Sequence, residues 1–388
     1  MLNCLKFRRL PSLGESIMAK IKTLLALVVG VAASINTAGC GSSTANQAKV
    51  TWVAVADWVF DAGDQHVYVD GALTRFDPNN LYGGGSGLSF SHSPVCFNKD
   101  ADTKVLNALE HPINRHITGH SNLDHSYDTG TMAKMTNAPI IGSPSTCFQV
   151  QAQGLPTSQC KPVYGGEAID LGSGVKVRIV RWNHSGTSAN ADLHDPRELV
   201  APPTPDPATG CYHPGVVEDF PNGGGGRGLL FTAGDSAHQF SWFFCDTGSD
   251  FDFEQPIIIN PTTGLMDPNG TNYGSPKDDL IAAMSNAGLT GVDLWIGPSN
   301  VAFAQKVVPI LKPKAFIPNH LGSFYVDFFQ GYSAASGAPY ADTATQSYMS
   351  SQNVKVVVPI QYMDAWNLDS TGTVSTPNTA VQQKLGFY

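Results

Sequence analysis

The chain is poor in charge: 14% of its 388 residues are Asp, Glu, Lys or Arg, and 23 basic residues stand against 32 acidic ones. A formal charge of −9 repels phosphate backbones, so a nucleic-acid partner is disfavoured. With 42% hydrophobic residues the chain can bury a large core, which excludes a disordered chain. After the first 40 residues no apolar run is long enough to span a bilayer. No glycine-rich phosphate loop opens a strand–helix turn and no serine occupies a nucleophile elbow, which removes P-loop and serine-hydrolase chemistry. No internal repeat stands out.

Cysteine is scarce as well. Cys4 and Cys40 belong to the leader, leaving Cys96, Cys147, Cys160, Cys211 and Cys245. An odd set allows at most two disulfides and suits an exported protein. Cys147 and Cys160 form a plausible local pair across a Pro/Gly/Gln-rich loop, with Cys96 and Cys211 the remainder; the sequence leaves the pairing open. Cys245, inside an apolar strand, reads as a buried free thiol.

What the chain does have begins with an address. Lys20 and Lys22 precede an apolar core over 24–33 and then Thr37-Ala38-Gly39-Cys40, the layout of an export signal. The end resembles a bacterial lipobox, with Thr37 where leucine is usual. That resemblance implies a signal peptide over 1–39, a true start at Met18 and lipidation of Cys40. It also implies a place in the bacterial cell envelope, at the outer membrane facing the periplasm. The lipid at Cys40 is then the expected membrane contact; oligomeric state is not legible. The leader's net +4 leaves −13 on the mature chain.

A short tether is expected over 40–48, then a single domain over 49–388. Gly 39 and Pro 26 point to many turns between strands. Alternation suggests a strand over 50–60 and a return strand over 66–70, and residues 102–110 suit a helix. Residues 129–137 read as helix and 138–142 as a short buried strand. Val175, Val177 and Ile179 alternate in a strand that stops at Asn183-His184-Ser185. A loop insertion over 185–227 carries a four-glycine run and almost no apolar periodicity; placed beside His184, it could cover a site. A hairpin follows over 228–246, ending at Cys245-Asp246-Thr247-Gly248. Helix and strand then alternate to His320, and a last strand is expected over 354–361.

The chemistry concentrates in Gly119-His120-Ser121-Asn122-Leu123-Asp124-His125-Ser126-Tyr127-Asp128. An apolar-alternating run ends there in imidazoles and carboxylates, the ligands that suit zinc, manganese or iron. His120-Ser121-Asn122-Leu123-Asp124-His125 resembles the H-x-H-x-D-H signature of the metallo-β-lactamase-fold hydrolases, with Asn122 in place of the second histidine. The wider run is similar to the GHSHxDHxxD version of lactonase- and phosphodiesterase-like branches. The opening hairpin through Asp70, the strand end at Asp246, and Phe316-Ile317-Pro318-Asn319-His320-Leu321-Gly322-Ser323-Phe324 also resemble family motifs, in the family's order.

The resemblance implies an α/β fold, a four-layer αβ/βα sandwich of two mixed β-sheets with helices outside. His120 and His184 would hold one metal, with Asn122 as a weak third ligand. Asp124, His125 and His320 would hold the other, and Asp246 would bridge. Asp128 would support a ligating imidazole, while His194 and His213 are taken as non-ligands. One zinc is expected to bind tightly and a second weakly, with manganese or iron as substitutes. Asp124 and Asp246 would orient a metal-bound hydroxide toward an ester, lactone, amide or phosphodiester of a small organic molecule. The competing readings are a non-catalytic envelope lipoprotein that keeps the fold, and an iron-centred redox member.

Overall fold

The computed structural model describes residues 45–76, 93–184, 197–215, 218–221, 226–235, 238–332, 340 and 342–388. The leader, Cys40 and His194 lie outside them. The described residues fall within one compact unit, Ser42–Tyr388.

One sheet starts as an antiparallel meander of β1 (Ala48–Ala54), β2 (Asp57–Ala62) and β3 (Gln65–Val69). It continues in parallel through β4 (Arg115–Ile117), β5 (Ile140–Gly142) and β6 (Cys160–Pro162). The other sheet starts with β7 (Ala168–Gly172), β8 (Val175–Arg181), β9 (Arg227–Ala233) and β10 (Phe240–Phe244), all antiparallel. After a small hairpin, β11 (Ile258–Ile259) with β12 (Thr271–Asn272), it grows in parallel. Its last strands are β13 (Leu294–Pro298), β14 (Ala315–Asn319) and β15 (Lys355–Val356). The chain then returns to the first sheet, where β16 (Ala365–Asp369) pairs with β1 and β17 (Gly372–Thr376).

Side-chain alternation explains why the sheets stack. In β8, β9 and β10, Val177, Ile179, Leu229, Phe231, Trp242 and Phe244 point into the core between the sheets. Val180, Leu230 and Phe243 point the other way, onto a helical layer. Strands buried on both faces are expected where helices cover the outside. Phe60 of the first sheet meets Phe231, Trp242 and Phe244 of the second at 5.3, 5.7 and 6.0 Å. Each such ring contributes roughly 1.5–3 kcal/mol by burial.

The helical layers are α1 (Lys99–Ala108), α2 (Leu123–Ser126), α3 (Thr129–Thr136) and α4 (Pro144–Ala152) in the first half. The second half has α5 (Pro276–Asn286), α6 (Val301–Leu311), α7 (Thr343–Ser351) and α8 (Thr379–Lys384). Leu280, Phe303, Val307 and Met349 seal the outer face of the second sheet, and Ala133, Cys147 and Val150 pack beside β5 and β6. The starts are written locally: Ser143 and Ser275 accept from the third backbone N–H beyond them, each with proline at the first helical position. No helix among the described residues is long and apolar enough to cross a membrane.

Several boundaries differ from the sequence reading. The strand expected over 50–60 is two strands, β1 and β2, folded back at Val55, whose φ is 36° and whose carbonyl accepts from Trp52 Nε1. Ala45 and Ala48, read as tether, are buried. The loop read between Cys147 and Cys160 starts inside a helix, Pro144–Ala152, and the strand expected over 354–361 shrinks to Lys355–Val356. Both disulfides join the expected partners, Cys96–Cys211 and Cys147–Cys160, and Cys245 is a buried free thiol that accepts from Trp295 Nε1.

Candidate metal centre

Five residues of the centre follow the C-terminal ends of strands at one edge of the sandwich, and Asp124 and His125 lie in α2. Asp70 follows β3, His120 follows β4, His184 follows β8, Asp246 follows β10 and His320 follows β14. Asp70 and His320 have φ of 64° and 62°, so the chain turns through the left-handed region at both positions. Residues held there cost energy and gather at functional sites.

The loop after β4 brings its groups inward as α2 begins. His120 and His125 are fully buried, with ring centroids 4.7 Å apart, and His184 lies 4.6 Å from His120. Asp124 Oδ2 is 3.0 Å from His320 Nε2, and its Oδ1 is 3.5 Å from His125 Nε2. His125 Nδ1 lies 3.1 Å from Asp246 Oδ2. Candidate ligand atoms of His120, His125 and Asp246 lie within 4.8 Å of one another, as do those of Asp124, His125 and His320. The His320 side chain is 36% exposed, the most open of the set.

The arrangement fits a cation. Asp124 Oδ1, His125 Nε2 and Asp246 Oδ1 are buried with no hydrogen-bond partner among the described residues. Leaving such groups unpaired costs about 1–3 kcal/mol each. The electrostatics agree. Burial alone would raise the carboxyl groups of Asp124 and Asp246, but the imidazoles hold both well below the usual carboxylate range. Burial would lower the ring of His125, yet Asp124, Asp246 and Asp70 outweigh it and push it up. Burial, with His184 and His125 beside it, drives His120 well down, toward the neutral form that ligates.

Asn122 is buried at the start of α2. Its Oδ1 accepts from Leu123 N at 2.7 Å, capping α2. Asp128 departs from its expected place: both oxygens accept from Thr74, at 2.6 Å each, and not from an imidazole. The partner of the imidazole is Asp70, which the sequence reading passed over. Its Oδ2 lies 3.1 Å from His125 Nδ1, and its Oδ1 accepts from Gly119 N at 2.7 Å. The left-handed turn in β3's exit aims it, a signal that aspartate before glycine carries weakly in sequence. Gly119 is required for the close approach, since a Cβ there would meet Asp246 Oδ2 at 3.2 Å.

Nearby histidines are structural. His116 is buried with Nε2 on Thr136, and burial lowers its ring to about 3. His213 faces Asp219 across 3.4 Å. Around the centre, Leu123 and Tyr127 pack with Phe76, Tyr212 and Phe220, and half-buried Phe324 and Tyr325 extend this apolar wall. Tyr212 and Phe220 come from the insertion, tied down by Cys96–Cys211 and by the bridge of Val95 to Tyr212.

No family model matches the chain. Its curated homologues are UPF0173 metal-dependent hydrolases. That of Pyrobaculum islandicum is 33% identical over 137 residues, 35% of this chain and 51% of the relative. That of Pyrobaculum arsenaticum is 39% identical over 82 residues, 21% of this chain and 35% of the relative. The chain therefore matches about half or less of the length of these relatives. Among solved structures it is similar to a metallo-β-lactamase-fold protein of Bacillus subtilis, at 13% identity and TM-score 0.37, covering 83% of this chain and 99% of that one.

Proposed function

We propose that this chain is a metal-dependent hydrolase of small organic substrates carrying an ester, lactone, amide or phosphodiester bond. The observation that carries the reading is the convergence of Asp124, His125, Asp246 and His320, with orphaned buried atoms on the first three. These residues, with His120 and His184, would hold the metal, and zinc suits the set best. When bound, a divalent cation supplies Lewis acidity and a hydroxide nucleophile near neutral pH.

The chain's own groups do the rest. Asp70 fixes the ring of His125 and ties it to the backbone of Gly119. Asp124 Oδ1 and Asp246 Oδ1, which have no hydrogen bond among the described residues, would orient the attacking water. His320, at the open side, faces the arriving substrate, and the half-buried rings of Phe324 and Tyr325 support a partly apolar one. The excess of acidic residues argues against a polyanion. We place the protein at the cell envelope through a lipid on Cys40, with Gly41 permitting transfer to the outer membrane. Unchanged membrane association and lipid labelling in Cys40→Ser would refute that placement.

A binding lipoprotein without turnover is the competing reading, favoured by the capped Asn122. A screen of esters, lactones and phosphodiesters on metal-loaded wild type, with His320→Ala as control, separates the two. Hydrolysis that disappears in the variant supports the enzyme. Full hydrolysis by metal-free His320→Ala protein refutes the mechanism.

A further inference from the structure

Among the described residues of the insertion, Glu198 is a buried carboxylate. Arg181 and Arg227 are register partners across β8 and β9, and both are almost wholly buried. Like charges set directly opposite one another destabilise a sheet. Glu198 Oε1 lies 2.9 Å from Arg181 Nη2 and 3.5 Å from Arg227 Nη2, an ion pair with each. Asp279 takes the backbone N–H of Arg181 instead, and Glu167 caps the backbone of Tyr164 and Gly165. Glu198 is held by its own backbone, whose N–H donates to Gly264, while Leu199 N donates to Ser145 Oγ.

Both arginines lead straight into the centre. Arg181 is three residues before His184. Arg227 N donates to the carbonyl of Gly119, the residue before His120, at 2.6 Å. The carbonyl of Arg227 and Asp246 Oδ2 both crowd the same face of Gly119. Without Glu198 the two guanidinium groups would lack a direct ion pair and keep only the more distant fields of Glu167 and Asp279, and the excess positive charge would repel a cation and loosen the strand ends that aim His120 and His184.

The geometry points to Glu198 as a positioning residue of the metal centre: a carboxylate supplied by the insertion that bridges the Arg181–Arg227 pair beneath the His120/His184 half and offsets one of its two charges. This inference rests on the metal-binding reading above. It distinguishes the described part of the insertion from a mere cover, because its acid acts from below on the residues that ligate.

The test is calorimetric titration of metal-depleted protein with zinc, with circular dichroism and thermal unfolding to establish that each variant is folded. Wild type that binds no zinc would overturn the metal reading and this inference with it. Given binding by wild type, Glu198→Gln keeps the shape and removes the charge, and zinc affinity should fall roughly 10–100-fold. Adding Arg181→Met to Glu198→Gln restores the charge balance and should recover most of that loss. A role in packing alone would give no such recovery, because the double variant has lost still more contacts. Arg181→Met alone, which stays informative if Glu198→Gln does not fold, should bind zinc as tightly as wild type or more so. Unchanged affinity in folded Glu198→Gln, no recovery in the double variant, or weakened binding in Arg181→Met would each overturn the inference.

Discussion

Two pairs of aspartates in this molecule are equally buried and behave in opposite ways. Asp124 and Asp246, at the sheet edge, are held well below the usual carboxylate range. Asp57 and Asp102, packed behind β3 and α1, are pushed up to about 7 and about 10, chiefly by burial. Partners make the difference. The first pair lies against His125, His120 and His320; the second has Tyr68, the backbone of Ala72 and other carboxylates, with Arg75 and His125 too weak to offset burial at Asp57, and both oxygens of Asp102 have no hydrogen-bond partner among the described residues. Burial by itself neutralises an acid, whereas burial among imidazoles keeps it ionised for a cation. A cluster of buried acids is therefore not yet a metal site.

The largest expected effect breaks the first pair. Asp124→Ala or His320→Ala should remove the metal and lower hydrolysis by at least roughly 10³-fold, measured by metal analysis and turnover on one substrate. Loss of activity with metal retained would move the chemistry elsewhere. Next comes the residue that joins the two groups. Asp70→Asn should weaken metal binding about 10–100-fold without unfolding the protein, because the ring of His125 loses its charged partner.

The second pair is tested through pH. The folded-state value of Asp102 lies above its unfolded value of 3.8, so its stabilisation is fully present below about pH 3.8 and is lost as pH rises toward about 10. Asp102→Asn cannot ionise. Between pH 5 and 9 its unfolding free energy, from urea titration, should fall less than that of wild type, a gap on the order of a few kcal/mol by pH 9. Parallel pH profiles would show that Asp102 is ionised in the folded protein and that burial does not separate the two pairs.

Much of the centre could be read from sequence because each candidate ligand ends an apolar alternating run. His120, His184, Asp246 and His320 all do so, and Asp124 and His125 follow within five residues. What escaped depends on contacts far along the chain. Asp128 faces Thr74 and Asp70 faces His125, pairings that no local pattern announces. The turn at Val55-Ala56 contains none of the residues that usually mark one, so two strands read as one. The helix at Pro144–Ala152 did carry its signal, Ser143 followed by proline, inside a stretch whose Gln and Gly content resembled a loop. Glu198 lies in an irregular segment where only the fold reveals the arginines it bridges.

The smallest effect sharpens the difference between the halves of the centre itself. Asn122→His should raise occupancy of the His120/His184 position by about tenfold or less, equivalent to about 1.4 kcal/mol. It should also cost about 1 kcal/mol of stability, because α2 loses its cap. Zinc titration and thermal unfolding of the same preparation check both.

The central claim is that Asp124, His125, His320 and Asp246 form the strong half, and that Asn122, committed to a helix cap, leaves the other half weak. Elemental analysis of protein purified without added metal tests this most directly. The account predicts about one metal per chain, falling to none in His320→Ala. A stoichiometry near two in wild type, or retention of the metal in His320→Ala, would contradict it.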